Sequence, residues 1–392
     1  MGPNPPAARA SASIAATRSA SNGTSSSSSI CCSSPIHPMR LIYSHFLILN
    51  NHADEPGGAH MRTRAPVSPV SPMAAGFESR RGLDRRCFLA AFAGAAYGAV
   101  ADIGLGSASA HAAAARTFAH GEFEITIVSD GHLTLPAEGL ARNADPAKLA
   151  VALGLADLTP QVSAPTNVTL IKTKSELILI DVGAGPNFMP TAGKLVDNLE
   201  ALGIDRKRVT RIVFTHGHPD HLWGAMDEFE DAPTFPNASY MISADEWNLW
   251  VSDDVLNKIP SDRQNLAPGA KRNLLGIKGR VQTIKAGDDI VAGIRTIDTR
   301  GHTQGHISLE VAGGRDTLIV LGDALTHPVV SFAYPDWKPA ADHEPDRGVA
   351  TRRKLLDRLA SDRSLVIGYH LPQSGLGRVE RKGGAYAFVP AT

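Results

Sequence analysis

The sequence predicts an α/β fold in which layered β-sheets are covered by helices. The first observation is a series of short apolar segments of strand length beyond residue 119, with helical patterns between them. The second is that no period of 20–50 residues repeats, which argues against a solenoid. The third is size, because 392 residues with 43% apolar side chains can build a sizeable core. Many short strands with interspersed helices are typical of stacked layers.

Residues 1–78 form the first segment, and they are rich in Ser, Ala and Pro without a sustained hydrophobic period. Such a stretch cannot bury enough apolar surface to offset the entropy lost on ordering. We therefore expect residues 1–78 to be disordered, or to be sequence upstream of the true start. Met61 and Met73 are candidates for that start.

Residues 79–112 resemble a cleaved secretory signal. Arg85 and Arg86 precede an Ala- and Gly-rich apolar run that ends near Val100, and small residues follow. The paired arginines are similar to those of a twin-arginine signal, which implies the twin-arginine export machinery and a periplasmic or secreted protein. A membrane anchor is disfavoured, because the run is short and Asp102 follows it closely.

The remaining domain, residues 113–392, contains none of the three cysteines, which are Cys31, Cys32 and Cys87. Neither a disulfide nor a thiolate ligand is therefore expected in it. The formal net charge of the chain is zero, which gives no electrostatic argument for binding nucleic acid or an anionic membrane. A small-molecule substrate is the remaining expectation.

Within this domain, alternation predicts a strand over 123–129, and Asp130-Gly131 predicts a turn after it. Further apolar segments predict strands over 167–173, 177–180, 211–214, 238–242, 281–284, 294–298, 307–311, 317–321 and 365–368. Leucines at helical spacing predict helices over 194–202 and 351–359.

The segment THGHPDH, residues 215–221, follows one of these buried strands directly. His216 and His218 are two positions apart, so in an extended chain they point the same way and can chelate one ion. Asp220 and His221 lie on a turn that enters a helix, and they can serve a second ion. Four donors this close together rarely serve one ion alone.

Three more donors appear downstream in matching settings. His302 lies in a Gly-flanked turn after a strand, while Asp323 and His370 each follow the end of a short apolar strand. The carboxyl ends of strands are where binding sites form in layered α/β proteins. The sequence therefore predicts that these side chains meet those of the 215–221 segment.

In order, spacing and strand context, residues 119–390 resemble the metallo-β-lactamase superfamily. This resemblance implies an αββα sandwich with a dinuclear metal site at the sheet edge. It implies that one ion is bound by His216, His218 and His302, the second by Asp220, His221 and His370, and that Asp323 bridges them. Asp181 would correspond to the acid that orients a ligand histidine, although a simple turn role at a strand end is the alternative.

The resemblance implies a hydrolase with two divalent ions. Zinc is the first expectation, and these ligands also accept Mn, Fe or Co. A metal-bridging hydroxide would be the nucleophile, and Asp220 would carry a proton to the leaving group.

Asp323 occupies a position where many β-lactamases have cysteine or histidine, which disfavours antibiotic hydrolysis. The likeness is closest to the methyl parathion hydrolase and lactonase-like group, carried by FEITIVSDG, THGHPDH, GHTQGH and LGDAL. It implies cleavage of a lactone or related ester, and in several members an exported homodimer. An organophosphate triesterase is the first alternative, and a single-iron persulfide dioxygenase is the second. A metal-binding module without catalysis remains a third.

Several residues are expected around the centre without binding metal. Phe188, His327 and above all Trp337, in the loop YPDWKP, are candidates for the substrate pocket. His306 is expected to make hydrogen bonds beside the site. The histidines without a matching context are expected on the surface or in loops, and they are His120, His132 and His343.

Overall fold

The computed structural model describes residues 115–227, 229–314 and 316–391. The predicted segments 1–78 and 79–112, with the paired arginines and all three cysteines, lie outside these residues, so their assignments stay predictions. In the part of the chain that the structure describes, no helix has the length and apolar character needed to cross a membrane.

A first sheet of seven strands runs through the amino-terminal half of the described residues. Its members are β1 (Ala115–His120), β2 (Phe123–Pro136), β3 (Gln161–Lys172), β4 (Leu177–Ile180), β5 (Arg211–Val213), β8 (Ser239–Ser243) and β9 (Val281–Ile284). They neighbour one another in that order. The first four pair antiparallel, and the pairs from β4 to β9 are parallel. A small hairpin of β6 (Met226–Asp227) and β7 (Ala232–Pro233) follows β5.

A second sheet of seven strands follows in chain order. Its members are β10 (Asp289–Val291), β11 (Ile294–Asp298), β12 (Ile307–Gly313), β13 (Asp316–Val320), β14 (Leu365–Ile367), β15 (Leu376–Lys382) and β16 (Ala385–Pro390). All pairs are antiparallel except β13 with β14. The parallel pair matters because both of its strands end at the same edge of the sheet.

Seven α-helices connect or cover the strands within the described residues. They are α1 (Pro146–Leu153), α2 (Leu195–Ala201), α3 (Pro219–Leu222), α4 (Ala244–Trp250), α5 (Ala267–Ile277), α6 (Val330–Ala333) and α7 (Pro345–Asp362). Side chains of α2, α4 and α5 pack on one face of the first sheet. Those of α7 pack on one face of the second sheet.

The two sheets pack on each other through a shared apolar core. Successive side chains of a strand point to opposite faces. Ile178 and Ile180 therefore lie between the sheets, while Leu179 faces the helices. In the second sheet, Val320 lies between the sheets and Ile319 faces α7. The layering is helix, sheet, sheet, helix, which confirms the predicted α/β fold and the sandwich that the resemblance implied.

The predicted turn at Asp130-Gly131 is wrong. Strand β2 continues through it to Pro136, with a register irregularity between Ser129 and His132. The Asp130 carboxylate is buried instead, and it accepts hydrogen bonds from the backbone N–H groups of Ala184, Gly193 and Leu195. Burial raises the pKa of Asp130 to about 6, against the effect of these hydrogen bonds. This carboxylate ties β2 to the glycine-rich loop that follows β4.

Candidate metal centre

Seven side chains from four segments of the chain converge in one buried cluster. The first sheet supplies four of them, because β5 leads into His216 and His218, and the short helix α3 then carries Asp220 and His221. All four side chains are buried. The turn that produces this spacing begins at Pro219, whose fixed φ suits the first position of a helix.

The second sheet supplies the other three. His302 follows β11, Asp323 follows β13 and His370 follows β14, and all three are buried. The structure thus brings together the complete set that the sequence suggested. Their donor atoms form three overlapping groups within 4.8 Å, which are His216–His218–His302, His216–His221–Asp323 and Asp220–His221–His370.

The Asp323 carboxylate lies between the His216–His218–His302 group and the Asp220–His221–His370 group. Its Oδ1 is 3.2 Å from His221 Nε2, and its Oδ2 is 3.3 Å from both His302 Nε2 and His370 Nε2. One carboxylate therefore reaches ligand atoms of both groups, which is the geometry that a bridging ligand needs.

Each of the five histidines has one ring nitrogen against a fixed partner outside the cluster. The pairs are His216 Nδ1 with Thr215 Oγ1 at 3.0 Å, His218 Nε2 with His343 Nε2 at 3.0 Å, His302 Nδ1 with Asp342 Oδ1 at 2.9 Å, His221 Nδ1 with Asp181 Oδ2 at 2.8 Å, and His370 Nδ1 with the Pro165 carbonyl at 2.8 Å. Where the partner accepts a hydrogen bond, the outer nitrogen carries the proton and the inner nitrogen keeps its lone pair.

The inner atoms of the cluster fit a cation. Among the described residues, four of them are fully buried and have no hydrogen-bond partner, namely His216 Nε2, Asp220 Oδ2, His221 Nε2 and Asp323 Oδ1. His218 Nδ1 and His302 Nε2 also face each other at 2.9 Å. Buried acceptors that converge in this way are costly unless a positive charge lies between them. Imidazole and carboxylate are ligands that Zn, Mn, Fe and Co accept.

The electrostatics of the cluster lead to the same conclusion. Burial alone would lower the pKa of His370, but the carboxylates of Asp323 and Asp220 raise it to about 10. Burial and the neighbouring imidazoles hold the pKa of His216 well below its usual value. The carboxylates also raise the pKa of His221 well above its usual value, against the effect of burial. Without an ion, protons on His221 and His370 would balance the carboxylates, and divalent ions would take the place of these protons.

We predict that removing metal will destabilise the fold. Reloading chelator-treated protein with Zn²⁺ at roughly 1,000 times its Kd should raise the free energy of unfolding by about 4 kcal/mol, because the ion binds only the folded cluster. Urea unfolding of the two preparations measures this difference. Mg²⁺ at the same concentration is the control, and it should have a much smaller effect because it prefers oxygen ligands. Equal stabilisation by both ions would contradict an imidazole-rich centre.

Glu246, which the sequence analysis missed, joins the two histidine loops. Its buried carboxylate accepts hydrogen bonds from Gly217 N at 2.9 Å, Gly305 N at 2.9 Å, Trp250 Nε1 at 2.7 Å and the Thr303 hydroxyl. Burial raises the pKa of this carboxyl group, against the effect of these donors. Gly217 lies between two ligands and Thr303 adjoins a third, so one side chain fixes both loops.

His306 makes its hydrogen bonds beside the cluster, as expected. Its Nε2 accepts from the Asp323 backbone N–H at 3.0 Å, and its Nδ1 lies 2.9 Å from Thr299 Oγ1. Burial lowers the pKa of His306 to about 3, so the ring is neutral and can accept. Its role is to hold the backbone from which the Asp323 carboxylate projects.

One of the histidines expected on the surface or in loops lies elsewhere. His120 is buried at the end of β1 with Nε2 3.1 Å from the Val311 carbonyl, because the turn between β1 and β2 packs on the second sheet. His343 lies in a loop as expected, where it is half-buried and contacts His218. His132 is exposed as expected.

A cavity of about 550 Å³ opens onto the cluster. His218, Asp220, Asp323 and His370 form its inner end, and its walls are mainly apolar, with side chains that include Leu133, Leu135, Leu140, Val162, Phe188 and Leu266. Phe188 and His327 both line this cavity, as expected. Its volume is within the range of pockets that bind small molecules.

The structure does not place Trp337 in the lining of this cavity. Its ring instead stacks on Tyr334 at 4.0 Å, and it packs against Leu140 and Val330. The segment that follows, 339–341, provides the cavity wall. The Trp337 ring therefore packs on the side of this wall that faces away from the cavity.

Comparisons with known proteins agree with this geometry. The family model of the Metallo-beta-lactamase superfamily matches residues 164–370, which include all seven clustered side chains. The probable metallo-hydrolase YflN of Bacillus subtilis is 30% identical over 241 residues, covering 57% of this chain and 86% of the relative.

Two solved structures are similar over most of their length. The dizinc quorum-quenching lactonase AidC, solved with a product bound, is 27% identical, with a TM-score of 0.66 over 71% of this chain and 97% of that chain. The hydrolase AbOPH of the beta lactamase superfamily is 29% identical, with a TM-score of 0.66 over 71% of this chain and 98% of that chain.

Proposed function

The chain belongs to the metallo-beta-lactamase superfamily and is a metal-dependent hydrolase, and we propose that it uses two divalent ions to cleave a lactone or related ester. The observation that carries this proposal is the mainly apolar cavity that ends on the ligand cluster. Similarity to a dizinc lactonase supports it. His216, His218 and His302 would hold one ion, Asp220, His221 and His370 the other, and Asp323 would bridge them.

When bound, such ions supply Lewis-acid chemistry, which activates water and polarises a carbonyl oxygen. The chain supplies binding and proton transfer. Apolar walls such as Leu135 and Phe188 take up the acyl part of the substrate and exclude bulk water. The reacting ester group then lies against Asp220 at the inner end of the cavity.

Asp220 is the group placed to carry the proton. Its Oδ2 is 3.2 Å from His370 Nε2 and 3.4 Å from His221 Nε2, and it has no hydrogen-bond partner among the described residues. The backbone behind it is fixed, because the Tyr369 hydroxyl donates to the Asp220 carbonyl at 2.6 Å. One carboxylate oxygen can therefore face the leaving oxygen while the backbone stays in place.

A substrate panel tests the proposal. Metal-loaded protein should hydrolyse N-acyl homoserine lactones with a kcat/KM that rises about fourfold per added methylene until the cavity is full, from roughly 0.8 kcal/mol per buried methylene. Methyl paraoxon, a phosphotriester, should be a poorer substrate. The reverse order would make the protein a phosphotriesterase. A single bound iron with persulfide oxidation would make it a dioxygenase, and no activity on any of these substrates would contradict the proposal.

We predict that Asp220→Asn lowers kcat by about 10²- to 10⁴-fold on lactones, the range typical of lost general acid–base catalysis. Esters with a nitrophenol leaving group should lose much less, because that group leaves without being protonated. Metal content, measured on the same samples, separates proton transfer from loss of an ion. Equal losses on both substrate types at full metal content would remove Asp220 from the proton-transfer role.

A further inference from the structure

A short segment before α7 is bound to the loop that carries His302. The backbone N–H of His343 donates to the His302 carbonyl at 2.8 Å, and that of Glu344 donates to the Gly301 carbonyl at 3.0 Å. These two hydrogen bonds fix the position of the Asp342 and His343 backbone relative to the ligands. No sequence pattern assigns either residue a role at the centre.

Both side chains of this segment turn toward the ligand cluster. Asp342 Oδ1 is 2.9 Å from His302 Nδ1, and His343 Nε2 is 3.0 Å from His218 Nε2. The Asp342 carboxylate oxygen can accept a hydrogen bond from His302 Nδ1, which leaves the Nε2 of that ring free to bind an ion. For His218 to bind through Nδ1, its Nε2 must carry the proton, and His343 Nε2 is the acceptor that this tautomer needs.

The Asp342 carboxylate has little freedom to turn. Arg352, which is itself buried, contacts its Oδ2 at 3.5 Å and also donates to the carbonyls of Pro335 and Trp337 at 3.0 Å each. Gly348 closes the other side, where a Cβ atom would lie only 2.7 Å from the same oxygen. The orientation of the Asp342 carboxylate is therefore fixed by residues in the first half of α7.

The other ligands are held by different parts of the chain. Asp181, at the end of β4, holds His221, and the Pro165 carbonyl of β3 holds His370. Among the contacts of the described residues, Asp342 and His343 touch ligands of the His216–His218–His302 group only. Asp181 reaches both subsites, because it also accepts from the Thr215 hydroxyl that contacts His216 Nδ1. Asp342 and His343 are therefore supports that belong to one subsite alone.

We propose that Asp342 and His343 are positioning residues that set the metal affinity of the His216–His218–His302 subsite and leave the Asp220–His221–His370 subsite unchanged. The proposal rests on the proposed function only in requiring that two ions bind. Partners that orient ligand histidines typically contribute 10- to 100-fold to metal affinity. Removing them frees the imidazoles to rotate, or to place a proton on the ligand nitrogen.

The test is a zinc titration of the metal-free full chain against a chromophoric chelator, without any substrate. Wild type should bind two equivalents. Asp342→Ala and His343→Leu should each weaken one equivalent by roughly 10- to 100-fold and leave the other at its wild-type affinity. His343→Gln keeps an acceptor oxygen near His218 and should recover most of the loss, which a purely structural role would not explain.

Two exposed side chains of the same residue types provide matched controls. Asp346→Ala removes an exposed carboxylate that pairs with Lys338, and His132→Leu removes an exposed histidine, and both should bind two equivalents as wild type does. Urea unfolding of each metal-free variant shows whether the fold is intact. If Asp342→Ala or His343→Leu does not fold, Asp342→Asn decides, with a smaller loss expected at the same equivalent.

The inference would be overturned by wild-type affinity at both equivalents in Asp342→Ala and His343→Leu, or by equal weakening of both equivalents in a variant whose metal-free fold is intact. A wild-type chain that binds one ion would overturn it as well. Binding of two ions without hydrolysis of any ester would count against the proposed function alone.

Discussion

Replacing Asp323 by asparagine is expected to lower kcat/KM for the best lactone by about 10³-fold, roughly 4 kcal/mol of transition-state stabilisation. Its carboxylate reaches His221, His302 and His370 at 3.2–3.3 Å, so it contacts ligands of both groups. Asparagine keeps the size but removes the negative charge, which leaves Asp220 as the one carboxylate among the candidate ligands. Metal analysis should show a loss of bound ions in parallel with the activity.

The matched control is Asp316→Asn, at the opposite end of the same strand, β13, where the side chain is exposed. This variant should retain its metal and its activity. If Asp323→Asn kept two ions and lost activity, the carboxylate would act on the substrate rather than as a bridge. If it kept both ions and full activity, the proposed centre would be wrong.

Replacing Gly217 by alanine is expected to damage both the fold and the metal centre. A Cβ atom at this position would lie 2.2 Å from Trp250 Nε1 and 2.4 Å from its Cδ1. Trp250 is fully buried and donates to Glu246, so it cannot move aside cheaply. We expect a loss of about 1–3 kcal/mol in the free energy of unfolding, as is typical of overpacked cores. Metal affinity should also fall, because His216 and His218 flank the displaced residue.

Gly279→Ala is the control for this substitution. Nothing lies within 4 Å of a Cβ atom at that position, and its backbone is not in the left-handed region. Its free energy of unfolding and metal content should match those of wild type within experimental error. Urea unfolding of both variants in the metal-free and loaded states separates steric damage from loss of metal. A Gly217→Ala protein as stable as wild type would show that Trp250 relaxes easily.

The clustered ligands could be predicted from sequence because their signal is local. His216, His218, Asp220 and His221 occupy one short segment, and each later donor follows a short apolar strand. Strand segments such as 281–284 and 294–298 coincide with β9 and β11 because β-branched residues prevail in both segments. The sequence pattern was therefore sufficient to predict the order in which the clustered side chains occur along the chain.

The support of the ligands could not be predicted in this way. Glu246, Asp342 and Arg352 look like ordinary charged residues of surface helices or loops until the fold buries them. Several of their partners are distant in sequence, such as Gly305 for Glu246 and His302 for Asp342, and no periodic pattern links them. Strands at or next to the sheet edges were missed for a related reason, because β1, β15 and β16 are only partly apolar and gain their conformation from pairing. Trp337 was wrongly predicted to line the cavity, because the sequence does not show on which side of a cavity wall an aromatic loop residue packs.

Because the candidate ligands come from both sheets, ion binding should depend on how far the chain has folded. A nascent chain that has folded only as far as β9 presents His216, His218, Asp220 and His221, but not His302, Asp323 or His370. Tight ion binding therefore requires that both sheets have folded and packed together. It would occur only in the completed fold. Ions bound by residues of both sheets would link them, and the sheets could then not separate without releasing the ions. Metal loading should therefore lengthen the lifetime of the native state as well as raise its equilibrium stability.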